Sequence, residues 1–224
     1  MTPEKLFHEL LGLGLNWEVI ASRFDHQTGT VRLELRETDR LWESARWPKD
    51  TRPATCYDPT EGRTWRHLNI FQPRCEITCR LPRGKCRPCG QVFRGRPPWE
   101  GLSTHFTKAF EAFALLLMRE RPRSKVGELV GETDPRLWRM LFRQVAAAYA
   151  GADCSSVCCV GGAELRVRKG HEYISGFAAL GRQRVLFATE GKDHAVWLAF
   201  VAAFEKHHGH RHAIPQVSMD MSPA

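Results

Sequence analysis

The sequence lacks several features, and each absence narrows the reading. No run of about 18 apolar residues exists, so no membrane span is expected. The opening MTPEKLFHELLGLG carries acids and lacks a signal peptide's basic start and cleavage site, which makes the cytoplasm the expected compartment. No internal repeat is visible. A second C-x-x-C is missing, so only half of a ribbon-type zinc site is written in the sequence. What is present is enough for real cores: 224 residues, 42% of them hydrophobic, with seven tryptophans.

Charge is unevenly spread. The net charge is +8, yet residues 63–148 hold 17 Lys+Arg against 7 Asp+Glu. The whole excess therefore sits in the middle third. A basic segment between near-neutral flanks is the footprint of a polyanion binder; a merely soluble surface is the bland alternative.

Eight cysteines in a cytoplasmic chain point to metal binding or core packing rather than disulfides. Cys86-Arg-Pro-Cys89-Gly90 is a turn that can offer both sulfurs to one tetrahedral metal, glycine permitting the left-handed backbone. Cys75 and Cys79, four apart on one strand face, are the spacing-based candidates for the other two ligands, with Cys56 and His67 as further options. The competing expectation is a metal-free β domain with buried thiols. Cys154, Cys158 and Cys159 open an apolar strand and read as buried free thiols.

The pattern along the chain predicts a mixed α+β protein. Residues 3–12 read as a helix ended by glycine. Trp17–Phe24 and Thr30–Leu35 alternate as a hairpin around Asp25–Gly29. WRHLNIF and CEITCRL, within 63–80, read as strands. Pro97 to Gly101 is a rigid connector. A helix is expected over 105–121, a short one capped by Ser124 over 125–130, a turn at Gly131, and a helix from Pro135 to about Ala148. This short helix, glycine turn and capped helix match the helix-turn-helix pattern. On the last helix Leu137, Leu141 and Val145 share one face, with Trp138 beside it. Arg136, Arg139 and Arg143 share another, as a DNA-contacting helix requires. From Cys158 the order becomes strand, strand, strand, helix, strand. Val196, Phe200 and Phe204 form the helix's apolar stripe. HHGHRH, 207–212, reads as a solvated loop, and Asp220 follows the last strand.

Taken together, TWRHLNIFQ (64–72), CRPCG (86–90), PPWEG (97–101), the helix pair over 105–148, VRKGHEYIS (167–175), LFATEGKD (186–193) and QVSMDMSPA (216–224) resemble the bacterial insertion-sequence transposases of the ISL-three family. The resemblance implies four segments: an N-terminal helix and hairpin (1–40), a zinc-ribbon-like β domain (41–101), a helix-turn-helix (102–150) and a partial RNase-H-like DDE domain (155–224). It implies DNA transposition, the element's terminal repeats as partner, and Mg²⁺ held by three carboxylates. Asp220 falls on the second carboxylate. The first falls on Ala163, because the family's Asp-Glu before RKGH stands here as Ala163-Glu164. Glu164 is no substitute, since adjacent strand residues face opposite ways. The third carboxylate would lie beyond residue 224. The family's first zinc knuckle falls on Trp47-Pro48-Lys49-Asp50, which has no cysteine. The resemblance thus implies a transposase-family chain without catalytic activity. Its alternatives are a DNA-binding module that interferes with an intact transposase, or a non-functional remnant. An open sheet edge after the fourth strand of 155–224 makes homo-oligomerisation an expectation.

Overall fold

The computed structural model describes residues 1–43, 45–46, 52–166 and 173–219. Asp220, the RKGH stretch at 168–171 and the 47–50 stretch lie outside the described residues. The architecture is mixed α and β, with two mixed sheets and, among the described residues, six α-helices. The chain divides into two units, Met1–Ala146 and Ala147–Ala224.

In the first unit, α1 (Pro3–Leu11) starts where the Thr2 hydroxyl accepts from the Lys5 N–H, and it stops at Gly12, φ 59°. The glycine end is the expected one, and Thr2 adds an N-cap to the helix. β1 (Trp17–Asp25) and β2 (Thr30–Glu37) pair antiparallel, and the Asp25 carboxylate accepts from the N–H groups of Gln27 and Thr28 at the turn. β2 then pairs in parallel with β4 (Arg74–Cys86), which pairs antiparallel with β3 (Ala54–His67) on its other side. β5 (Val92–Arg94) adds to the far end of β4. The hairpin of residues 1–40 and the β segment of 41–101 therefore share one sheet, in the order β1-β2-β4-β3. Leu33, Leu35, Trp65, Cys75, Ile77 and Cys79 form its buried face, with Trp99 set edge-on against both Trp17 and Trp65.

The short α2 (Asp39–Glu43) follows β2, and three further helices come after the sheet: α3 (Lys108–Glu120), α4 (Arg123–Val130) and α5 (Asp134–Ala150), whose last turn belongs to the second unit. α3 begins later than the periodicity predicts. Thr107 caps it, and His105–Thr107 run alongside Arg66 of β3 through two backbone hydrogen bonds. α4 follows Pro122 directly, with no side-chain cap from Ser124. Phe106, Phe110, Ala114, Val126, Val130, Leu137 and Met140 form the core between the helices. Met140, not Val145, accompanies Leu137 on the buried face of α5; Val145 and Trp138 are exposed.

The second unit holds β6 (Cys159–Arg166), β7 (Tyr173–Ala179), β8 (Arg184–Glu190), α6 (His194–Lys206) and β9 (Gln216–Met219). β6, β7 and β8 form an antiparallel meander. α6 follows, and β9 returns parallel to β6, giving the order β8-β7-β6-β9. The Asp193 carboxylate caps α6 by accepting from the Val196 N–H. Val196, Phe200 and Phe204 bury against Val160, Phe177 and Leu186. Of the three cysteines expected to be buried here, only Cys154 is; Cys158 is exposed and Cys159 half-buried. His207 departs from the solvated-loop reading. Its ring is buried against Tyr149, with Nδ1 3.2 Å from the Ala152 carbonyl oxygen.

Candidate nucleic-acid interface and catalytic strand

The turn between α4 and α5 is set by two glycines and one acid. Gly131 ends α4 at φ 67°, a backbone that a side chain would strain. Gly127 lets the chain close: a Cβ there would stand 2.8 Å from the Glu132 carbonyl oxygen and 3.6 Å from Leu137. The Glu132 N–H donates to the Gly127 carbonyl at 3.0 Å. Arg123 then clamps the start of α5 by a two-pronged contact with Asp134, at 2.6 and 2.7 Å, and lies over the Trp138 ring.

Glu132 turns inward, its side chain 1% exposed, and gathers three arginines. Arg136 lies at 2.6 Å, Arg74 at 3.0 Å and the Nε of Arg66 at 3.7 Å. Arg66 also donates to the Val130 carbonyl and Arg74 to the Gly131 carbonyl, so strand residues satisfy the open carbonyls at the end of α4. Burial, then the neighbouring Arg74, pulls the Arg66 pKa down to about 10. Two further buried acids follow the same logic. Glu100 meets Arg63, Arg94 and Arg96, and Glu111 accepts from the N–H groups of Leu102 and Ser103 and from Gln144. Burial raises the Glu111 pKa against the lowering effect of those donors. None of these acids is marked in the sequence, because Glu at a turn or on a helix looks the same whether it faces water or arginine.

The three arginines expected on the DNA-facing side of α5 therefore separate. Arg136 is half-buried, committed to Glu132, and stacked over the Phe106 ring. Arg139 and Arg143 are exposed, and neither has an acid partner among the described residues. They remain part of one positive field: the His105 pKa is lowered, first by burial and then by Arg136, Arg63, Arg143 and Arg139.

The cysteines do not gather. Cys75 and Cys79 point into the sheet core, where burial pushes both thiols up to about 12. A zinc ligand must be a thiolate. Cys86 lies seven residues beyond Cys79 on β4, roughly 20 Å at about 3.3 Å per residue. A zinc ion needs each sulfur within about 2.3 Å. His67 turns away to Thr107, 2.9 Å distant, and burial takes its pKa down to about 4. Cys56 is exposed. Among the described residues no three His, Cys, Asp or Glu side chains come together for a metal. Cys86 and Cys89 keep the turn geometry of a half-site, with Gly90 at φ 68°. They offer two ligands of the four needed, so the donor set does not fit a structural zinc.

In the second unit the position of interest lies at the centre of the sheet. Ala163 pairs with Gly176 on β7, and the parallel register of β6 with β9 runs to Gly162 opposite Met219. Val160, Gly162 and Glu164 share the face that carries α6; Glu164 stands opposite buried Ser175. Ala163 belongs to the other face. Glu164 lines a cleft with Lys192, Asp193 and Trp197 on the α6 side, which Ala163 also borders, and Asp193 is already engaged as the helix cap.

Residues 161–224 match the family model for ISL-three DDE transposases, whose description is Transposase. This segment is similar to that transposase family. No curated protein and no solved structure matches the chain. The matched segment begins inside β6 and contains the Ala163 position, β7, β8, α6 and β9, so a transposition-related function follows from the strands just described.

The family's divalent metal chemistry needs carboxylate oxygens held together. Ala163 carries only a methyl group, and its neighbour Glu164 faces the opposite side of the sheet. The described residues do not fit a metal pair, and no catalytic step is assigned to one.

Proposed function

We propose that this transposase-family protein binds DNA through α4 and α5, as a helix-turn-helix, and that its RNase-H-like unit does not cut DNA. The observation that carries the first half is the division of labour on α5. One face is locked by Gly127, Gly131, Leu137 and the Glu132–arginine cluster. The outward face presents Arg139 and Arg143, with no competing acid among the described residues. A recognition helix needs this combination of rigid seating and free donors for phosphates and base edges. The element's terminal repeats are the proposed target. The second half rests on Ala163: removing one member of a group that acts as a unit removes nearly all of its catalysis. The order β8-β7-β6-β9 with one crossover helix supports the RNase-H-like reading of this unit.

Fluorescence anisotropy with duplex DNA at low salt tests the binding. Arg139→Ala and Arg143→Ala should each weaken it by roughly 1–3 kcal/mol where they meet a base edge, and by less at a phosphate. Arg136→Ala should change folding stability more than affinity, because its guanidinium is spent on Glu132. Equal binding losses for all three would contradict the assigned roles. Incubation of element-end DNA with the chain and Mg²⁺ or Mn²⁺ should give no specific strand scission; a discrete nick at the element end would refute the inactive assignment.

A further inference from the structure

A second basic surface lies away from α5, on the ribbon made by β3, β4 and β5. Between Arg80 and Trp99 the sequence places five arginine or lysine side chains and no acid. Register decides which of them share a face. Arg83 stands directly opposite Arg94, and Lys85 opposite both Thr55 of β3 and Val92 of β5. Tyr57 of β3, 51% exposed, lies beneath this face, with the Arg83 guanidinium 5.3 Å and the Lys85 ammonium 5.6 Å from its ring. The opposite face is closed: a Cβ on Gly84 would run into Phe93 and Trp42.

The ribbon face carries more positive charge than its own structure uses. Like charges directly across a ladder are unfavourable. Arg83 is relieved by Asp58, and Arg94 only weakly by Glu100, at 3.8 Å. Lys85 and Arg87 are exposed, and neither has an acid partner among the described residues. The face also connects to α5. Arg94 and Arg63 meet at Glu100, and Arg63 acts with Arg136, Arg139 and Arg143 on His105. All of these residues belong to the first unit. A positive track thus leads from the outward face of α5 past Arg63 to the tip of the β4–β5 hairpin.

We propose that this ribbon face is a second DNA-backbone contact, with Lys85 and Arg87 meeting phosphates outside the stretch covered by α5. The inference rests on the DNA reading of α5 and extends its footprint. From Cys79, opposite Arg63, to Lys85 the strand covers roughly 20 Å, at about 3.3 Å per residue. That length matches about six base pairs at ~3.4 Å of helix axis each. The face is narrow, two to three strands wide, and carries a single aromatic ring. This suits a duplex backbone better than an unpaired strand, which needs a series of stacking rings. Because the donors are lysine and arginine tips aimed at phosphate, the contact adds affinity and orientation with little sequence preference.

The test measures the salt dependence of binding to a mixed-sequence duplex of about three helical turns. The wild-type chain is compared with the double variant Lys85→Gln, Arg87→Gln. The slope of log K against log salt should fall in magnitude by about 2, at about 0.9 for each phosphate no longer neutralised. A direct readout on the wild-type chain avoids any folding defect of the variant: DNA should protect Lys85 from acetylation, while Lys5 on α1 keeps its reactivity. An unchanged slope together with unprotected Lys85 overturns the ribbon contact. If Arg139→Ala and Arg143→Ala still abolish binding in that case, the reading of α5 stands alone. No binding by the wild-type chain at low salt removes both.

Discussion

Replacing Glu132 with alanine should destabilise the first unit by roughly 3–5 kcal/mol, the usual cost of removing one partner from a buried charge group. The carboxylate is 1% exposed and serves three guanidinium groups. Those arginines do not contribute equally. Arg74 and Arg136 are about a third exposed, so water screens them once the acid is gone, and their share is discounted. Arg66 is 2% exposed and has no such escape. It would remain charged against the Phe110 ring, with only carbonyl and amide oxygens as partners. The loss is therefore set mainly by Arg66, which ties β3 to the end of α4. Urea denaturation followed by tryptophan fluorescence reads it directly. A change below about 1 kcal/mol, the value of an exposed ion pair, would mean that the cluster is not what seats α5.

Phe200→Ala should cost the second unit a comparable amount, about 3–5 kcal/mol, the range for deleting a buried phenyl group. Phe200 is 2% exposed and stacks on Phe177 with ring centres 4.2 Å apart. Trp197, Phe187 and Phe204 surround it at 5.6–6.4 Å. Five aromatic rings around one helix leave no small side chain able to collapse into the gap, so the cavity term persists. Because the chain divides into two compact units, the effects should also separate. Amide exchange should accelerate in β6, β7 and α6 for Phe200→Ala and in β3, β4 and α4 for Glu132→Ala. Acceleration of both sets by either variant would show that the chain unfolds as one cooperative body.

These two sites also show how unevenly the sequence speaks. The Phe200 cluster is legible. Val196, Phe200 and Phe204 recur every four residues behind a capping aspartate, and the run can hardly be anything but a helix laid on a sheet. The Glu132 cluster is not legible. Arg66, Arg74 and Arg136 come from three elements, and nothing local tells an arginine that will meet a buried acid from one that will meet solvent. The same limit separated Arg136 from Arg139 and Arg143, which helical spacing had grouped together. It also misled the cysteine reading. Spacing correctly put Cys75 and Cys79 on one strand face, but burial against Trp65 and Ile77 made that face a core.

The sequence by itself determined the caps and turns at Gly12, Gly131 and Asp193, and the alternation of the strands. It also determined, through residues 161–224, the similarity to a transposase family. These are short-range properties, fixed by backbone conformations and by the identity of single residues. The tertiary structure decided the rest: the parallel pairing of β2 with β4, the inward turn of Glu132, and the distribution of the basic middle third into spent and free charges. Those outcomes depend on which distant groups are desolvated together, and desolvation is settled only when the chain is packed.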